Sequence, residues 1–296
     1  MEQRKYKTKQ EVLIRGQEAV GKTLGEIDKT GRIATGKGAI GTVVEESWFG
    51  YKPNSNPAPD FEEAGVELKV TPYRQTPRGI QAKERLVCDM LNYDEEYYKT
   101  FETSAFWMKC ACMLLMSYEH RDGVPKVDFT IDKAVLFQFP DEDLEVIRND
   151  WKILMDKIKA GQAHLISEGD TMYLAACPKG RNSQDTRSQP FSPIPAMKRA
   201  YSLKSSYMTQ ILRRYIFGDE PCEKIIKDPA ALRTTSFEDW FSAKVRPYVG
   251  MSRTELKARL GVETSAKNLN ELLVAAMLGV KEVGGPSGLR KTTITL

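Results

Sequence analysis

Asp60, Glu67 and Lys69 fall within one ten-residue segment, Asp60-Phe-Glu-Glu-Ala-Gly-Val-Glu67-Leu68-Lys69. Glu67 and Lys69 are two residues apart, and on a β-strand such residues project from one face. Val66, Leu68 and Val70 supply the apolar alternate face, so a strand is predicted over 66–72. Asp60 arrives from the Pro- and Asn-rich loop 52–59, and Pro59 and Gly65 bracket the acidic pair with turn chemistry. Two carboxylates and a lysine then converge at one strand end. Carboxylate oxygens suit the hard cation Mg²⁺. A bound Mg²⁺ polarises a phosphodiester and lowers the pKa of water. A neighbouring lysine orients or deprotonates that water and offsets the charge that develops. The spacing therefore fits metal-assisted phosphodiester hydrolysis. On its own the pattern also arises by chance, because a Glu-x-Lys pair on a strand is commonly a solvated face.

Charge segregation supplies a second signal. Between Pro178 and Arg214 stand Lys179, Arg181, Arg187, Lys198, Arg199, Lys204, Arg213 and Arg214 against Asp185 alone. Ser, Asn, Gln and Tyr side chains are interleaved and suit phosphate and base-edge contacts. A basic run is usually a solvated surface, but here it accompanies a metal-type acidic site, and a DNA-facing surface is the more economical account. Lys37, Lys83, Arg85, Lys179, Arg181, Arg199, Ser202 and Lys204 are the candidate DNA-binding residues. A competing motif is Gly16-Gln-Glu-Ala-Val-Gly21-Lys22-Thr23, which has P-loop spacing. A P-loop needs a buried strand before its first glycine. The charged, helix-patterned stretch 9–15 offers none, so the match is taken as chance.

The elements that must position these residues are mixed. Helices are predicted at 8–19, with Thr8 as N-cap, and at 40–48. Strands follow at 66–72, 85–91, 109–117, 134–139 and 172–176. The stretch 141–161 is amphipathic, with Leu144, Ile147, Trp151, Leu154, Met155 and Ile158 at helical spacing. Residues 178–195 are expected as loop and 205–217 as a basic helix. Beyond 219 only short helices are expected, at 236–245, 252–260 and 268–278. This order predicts an α/β (α+β) catalytic domain over 1–218, a helical appendage or linker over 219–283, and a tail over 284–296.

Composition limits the alternatives. The 296 residues carry 44 basic and 40 acidic side chains, a net charge of +4, with 41% hydrophobic and 28% charged. A folded core is expected, and a histone-like coat of positive charge is excluded. No apolar stretch approaches the ~20 residues that span a bilayer, and the polar start is unlike a secretory signal. Five scattered cysteines and two histidines disfavour zinc sites and Cys–His or Ser–His–Asp catalysis. Reduced, buried cysteines and a cytoplasmic protein are expected.

Several segments together carry a resemblance. Gly36-Lys-Gly-Ala-Ile-Gly41-Thr-Val-Val-Glu-Glu-Ser-Trp-Phe-Gly50, Pro59-Asp60 through Glu67-Leu-Lys69, and Lys83-Glu-Arg-Leu-Val87 resemble the GATC-cutting type II restriction endonucleases of the Sau type. More distantly they resemble the mismatch-repair nicking endonuclease MutH. Phe101-Glu-Thr-Ser104 with Lys109, Asn149-Asp-Trp151 and Arg199-Ala-Tyr-Ser through Arg214 extend the likeness in order over about residues 8 to 280. The resemblance implies a PD-(D/E)xK fold, a central mixed sheet flanked by helices with two arms around double-stranded DNA. It implies that Asp60 and Glu67 are Mg²⁺ ligands, that Lys69 lies near the attacking water, and that Lys109 is an additional active-site lysine. It also implies a helical glutamate ahead of Asp60. Counting forward from Gly41 gives Glu45 and counting back from Trp48 or Gly50 gives Glu46; Glu45 is preferred. The resemblance further implies cleavage 5′ of the G and a cognate GATC methyltransferase as functional partner.

Three departures refine it. MutH carries Arg-Pro-Lys where this chain has Cys177-Pro178-Lys179, and a tyrosine linked to adenine methylation where this chain has Ser202. The Sau-type enzymes agree with this chain at both places, which implies indifference to adenine methylation. Those enzymes also carry a second, degenerate copy of the fold, and residues 290–296 are expected to be its opening strand. With one catalytic copy, double-strand cleavage requires dimerisation on DNA or two successive nicks. A MutH-like nickase, a non-cleaving GATC-binding effector and a P-loop protein are the competing functions.

Overall fold

The apolar run Met113-Leu-Leu-Met116 is buried without alternation, as happens when a strand has a core on each face. In the computed structural model it lies at the centre of the first of two units, Met1–Glu220 and Pro221–Leu296. The structure describes residues 5–35, 40–52, 57–77, 79–182, 184–218, 236–262 and 269–278. Lys37 and the tail 284–296 lie outside them.

The first unit begins with α1 (Lys9–Gln17) and two single turns, α2 (Leu24–Ile27) and α3 (Arg32–Thr35). Thr8 caps α1 in a capping box with Glu11, as the sequence predicts. Next, α4 (Ile40–Val43) runs into a π-helical turn, Val44–Phe49. Then come β1 (Glu67–Thr76), β2 (Gly79–Ala82), β3 (Leu86–Leu91), α5 (Tyr93–Glu96) and α6 (Ala105–Cys110). They are followed by β4 (Met113–Glu119), β5 (Ile131–Phe137), α7 (Asp141–Lys159), β6 (Leu174–Pro178), β7 (Thr186–Gln189), β8 (Ser192–Met197) and β9 (Arg199–Leu203). Last is α8 (Ser205–Ile211), which continues into a second π turn, Leu212–Phe217.

One sheet has the order β2-β1-β4-β5 and a second the order β3-β9-β6, with β7 and β8 forming a hairpin. The first sheet is mixed: β1 and β4 are parallel, in register from Glu67 opposite Met113, and its outer pairs are antiparallel. Leu114 and Met116 pack with Val12, Leu24, Val44, Phe49, Phe61, Val66 and Leu68 on one face. Met113 and Leu115 pack on the other with Tyr73, Phe106, Ile147, Leu154, Tyr201 and Met208. Helices and the second sheet thus cover a central mixed sheet on both faces. Gly16 serves this packing and not nucleotide binding. It lies inside α1, where a Cβ would come within 2.9 Å of the Leu114 side chain.

Three expectations about elements are corrected. The stretch 109–117 is not one strand: Lys109 and Cys110 close α6, which Ser104 caps by accepting from the Trp107 N–H at 3.2 Å, and β4 starts at Met113. The expected loop 178–195 contains β7 and most of β8. Gln189 pins that hairpin, accepting from the Ala163 N–H at 2.7 Å and donating to the Ile194 carbonyl at 2.6 Å. Finally, β9 and β2 form where no strand was expected. In the second unit the helices are Phe237–Val245, Arg253–Leu260 and Leu269–Met277.

Candidate active site

The site forms where β1 and β4 begin. Phe61 and Val66 close a tight loop by exchanging backbone hydrogen bonds of 2.9 and 3.3 Å. That closure uses the left-handed conformation of Gly65, φ 62°. The loop folds Asp60 back onto the strand. Its Oδ2 accepts from the Leu68 N–H at 2.9 Å, and its own N–H donates to Glu67 Oε2 at 3.2 Å. Glu67 is 2% exposed. Lys69, on the same face of β1, donates from Nζ to Glu67 Oε1 at 2.7 Å and to the Cys88 carbonyl of β3 at 3.2 Å. Lys109, from the last turn of α6, places Nζ 3.8 Å from the same Glu67 oxygen. The structure therefore brings Asp60, Glu67, Lys69 and Lys109 together, with the lysine of α6 entering from outside the strand.

The π turn supplies one more acid and separates Glu45 from Glu46. Glu46 pairs with Arg32 on the protein surface. Glu45 faces the cluster, and its Oε1 is buried with no hydrogen-bond partner among the described residues. A π turn closes i to i+5 and accommodates one residue more than an α turn. Here the Gly50 N–H bonds to the Glu45 carbonyl, with Gly50 left-handed at φ 79°. Counts taken from the two flanks of such a turn differ by one residue. Trp48 fixes the turn against α1. Its indole donates to the Arg15 carbonyl at 2.8 Å, and Arg15 stacks over its ring and returns bonds to the Trp48 carbonyl.

Electrostatics mark the cluster as short of positive charge. Burial, then the neighbouring charges of Asp60 and Glu67, push the Glu45 carboxyl up to about 7. Glu67 is also raised to about 7, chiefly by burial, with Asp60 adding to the rise and Lys69 opposing it. Among the described residues no three His, Cys, Asp or Glu groups are close enough to hold a metal as they stand. The donor set nevertheless fits a hard divalent cation: three carboxylates, two of them disfavoured as anions, and one buried oxygen without a partner.

The DNA-binding candidates separate. Lys83, Lys179 and Arg181 are exposed, and Arg85 is half-buried in an ion pair with Glu168 at 2.8 Å. Arg199 and Ser202 are corrected: both are buried in β9, between β3 and β6. Arg199 donates to the carbonyls of Ala176 and Ile166. Lys204, half-buried, donates to the carbonyls of Glu168 and Thr171. Basic residue type suggested surface, although the apolar flanks of Arg199 and Ser202 (Ala200, Tyr201, Leu203) carried the opposite signal. Nothing in residue type or spacing singled out Glu96, a buried acid that holds the start of α6.

Fold and site define the class: this is a MutH/restriction endonuclease-like domain, mixed α/β, with its acidic cluster at the start of the inner strand β1 of the central sheet. The family model described as "DNA mismatch repair enzyme MutH" matches residues 49–150. The chain is 42% identical over 279 residues to the type II restriction enzyme Sau3AI of Staphylococcus aureus, covering 93% of this chain and 57% of that protein. It is 27% identical over 217 residues to the DNA mismatch repair protein MutH of Serratia proteamaculans, covering 70% of this chain and 93% of that one. Both relatives and the family model thus liken the chain to the MutH-like enzymes. The chain spans little more than half the length of the restriction enzyme it matches.

Proposed function

We propose that this chain is a Mg²⁺-dependent endonuclease of the type II restriction class. It would hydrolyse double-stranded DNA at GATC, 5′ of the G, without regard to adenine methylation. The observation that carries the reading is the cluster of Glu45, Asp60 and Glu67 beside Lys69 and Lys109, with two of its acids raised to about 7. The site preference and the indifference to methylation rest on the resemblance to the Sau-type enzymes.

Asp60, Glu67 and Glu45 would hold the cation. When bound, it supplies Lewis-acid polarisation of the scissile phosphate and lowers the pKa of the attacking water. The chain's own groups do the rest. Asp60 and Glu67 are pre-set by their mutual hydrogen bond through the Asp60 N–H. Lys69 is held beside Glu67; burial works against its charge, but the surrounding Cys110, Glu67 and Cys88 raise its pKa overall. It therefore acts by orienting water and stabilising charge on the phosphate, not as a free base. Lys109 adds a second cation from α6. Lys83, Arg85, Lys179, Arg181 and Lys204 are the remaining described candidates for DNA contact.

The test uses a short duplex with one GATC. Asp60→Asn and Lys69→Ala should each slow Mg²⁺-dependent cleavage by roughly 10²–10³-fold or more, while duplex binding in EDTA persists. Wild-type cleavage rates in either variant would remove the assignment. A MutH-like nickase would instead leave one strand of each site intact.

A further inference from the structure

We infer that Glu96 is a positioning residue: its carboxylate ties Tyr201 of β9 to the first turn of α6 and thereby sets Lys109 against Glu67. The inference rests on the endonuclease reading above. Glu96 closes α5 and is 1% exposed. Its Oε2 accepts from the Tyr201 hydroxyl at 2.8 Å. Its Oε1 accepts from Lys99 Nζ at 2.7 Å, and both oxygens accept from the Ala105 N–H, at 3.1 and 3.3 Å. Ala105 is the first residue of α6, and Lys109 lies about one turn further on.

A helix of six residues has no stability of its own. Its axis is set by what anchors its start and by its buried side chains. Phe106 packs against Tyr201 and Phe101, with ring centres 5.9 and 6.1 Å apart. The same tyrosine thus supports α6 twice, through its ring and through Glu96. Burial, followed by the Glu96 charge, raises the Tyr201 hydroxyl well above its ordinary range, so it stays a donor. A buried carboxylate is a poor source of stability compared with apolar packing. What Glu96 contributes is direction, because charge-assisted bonds from β9, from the segment after α5 and from α6 itself fix one helix start. Tyr201 stands opposite Asp89 of β3 and Ala176 of β6, and β6 leads straight to Lys179 and Arg181. Glu96 therefore joins the strand between those two to the helix that delivers Lys109.

The experiment uses the full chain with Mg²⁺ and a duplex bearing one GATC, under single-turnover conditions, with duplex affinity measured in EDTA. Glu96→Gln keeps the size and one acceptor oxygen, and Tyr201→Phe keeps the ring. Each should lower the cleavage rate about tenfold or more, as a displacement near 1 Å does, with duplex affinity within about threefold. In the Lys109→Ala background, Glu96→Gln should add no further loss, because its action runs through Lys109. A general structural role would multiply the two losses and overturn the inference. So would Glu96→Gln cleaving at the wild-type rate. A wild-type chain that leaves the duplex intact overturns the endonuclease reading and this inference with it. A cleaving wild type with an equally fast Glu96→Gln overturns the inference alone.

Discussion

Glu45 and Glu67 are each pushed to about 7, which links the site to pH. An acid raised in the folded chain binds its proton more tightly there than in the unfolded chain, where glutamate titrates near ~4.3. Its contribution to stability is full below that unfolded value, declines as pH rises toward 7, and is lost above. Removing the Glu45 charge should therefore stabilise the metal-free protein most at high pH. Glu45 is partly exposed, so solvent screening reduces the effect. Glu45→Gln should raise Tm relative to wild type by roughly 2–4 °C more at pH 8 than at pH 5. An equal shift at both values would contradict the account. Activity separates the neighbours: Glu45→Gln should slow cleavage about hundredfold, while Glu46→Gln, which loses only a surface pair with Arg32, should change it by no more than about threefold. At this scale the sequence made Asp60, Glu67 and Lys69 readable, because a strand repeats every two residues and a turn had to return Asp60 to it. It left Glu45 and Glu46 open because helical phase fails across a π turn.

Among the elements, the loop between Asp60 and Glu67 depends on one backbone angle. Gly65 is left-handed at φ 62°, and nothing lies within 4 Å of the place a methyl group would take there. Gly65→Ala would therefore suffer conformational strain without a clash. That strain is about 1 kcal/mol, and it should lower stability in urea by that amount and slow cleavage by loosening Asp60. Gly65→Asn tolerates the conformation better and should recover part of both. An alanine variant indistinguishable from wild type in both measurements would contradict this. The amphipathic α7 and the Thr8 cap were legible because local periodicity and capping chemistry decide them. By contrast, β9 was not, because a strand buried between two others has no solvated face to alternate with, and its Arg199 satisfies its donors on carbonyls. Lys109 was expected on a strand because the apolar run 113–116 drew the boundary back over α6, although Ser104 carried a capping signal.

For the molecule as a whole, the net charge of +4 is a sum of unlike parts. Carboxylates gather at the start of β1, and exposed basic residues line the exit of β6. Several members of the basic run instead pair within the protein: Lys198 with Asp185 at 2.6 Å, Arg214 with Glu142 at 2.5 Å, and Arg199 with carbonyls. The exposed part of the basic run is accordingly narrower than the sequence implied. No helix among the described residues is long and apolar enough to cross a membrane. The central claim is metal-dependent cleavage at GATC, and the direct measurement is digestion of a plasmid of known sequence, prepared with and without adenine methylation, in the presence of Mg²⁺. The account predicts the same set of fragments from both preparations, with ends mapping 5′ of the G at GATC sites, and no cleavage in EDTA. Intact plasmid, or fragments whose ends ignore GATC, would contradict it.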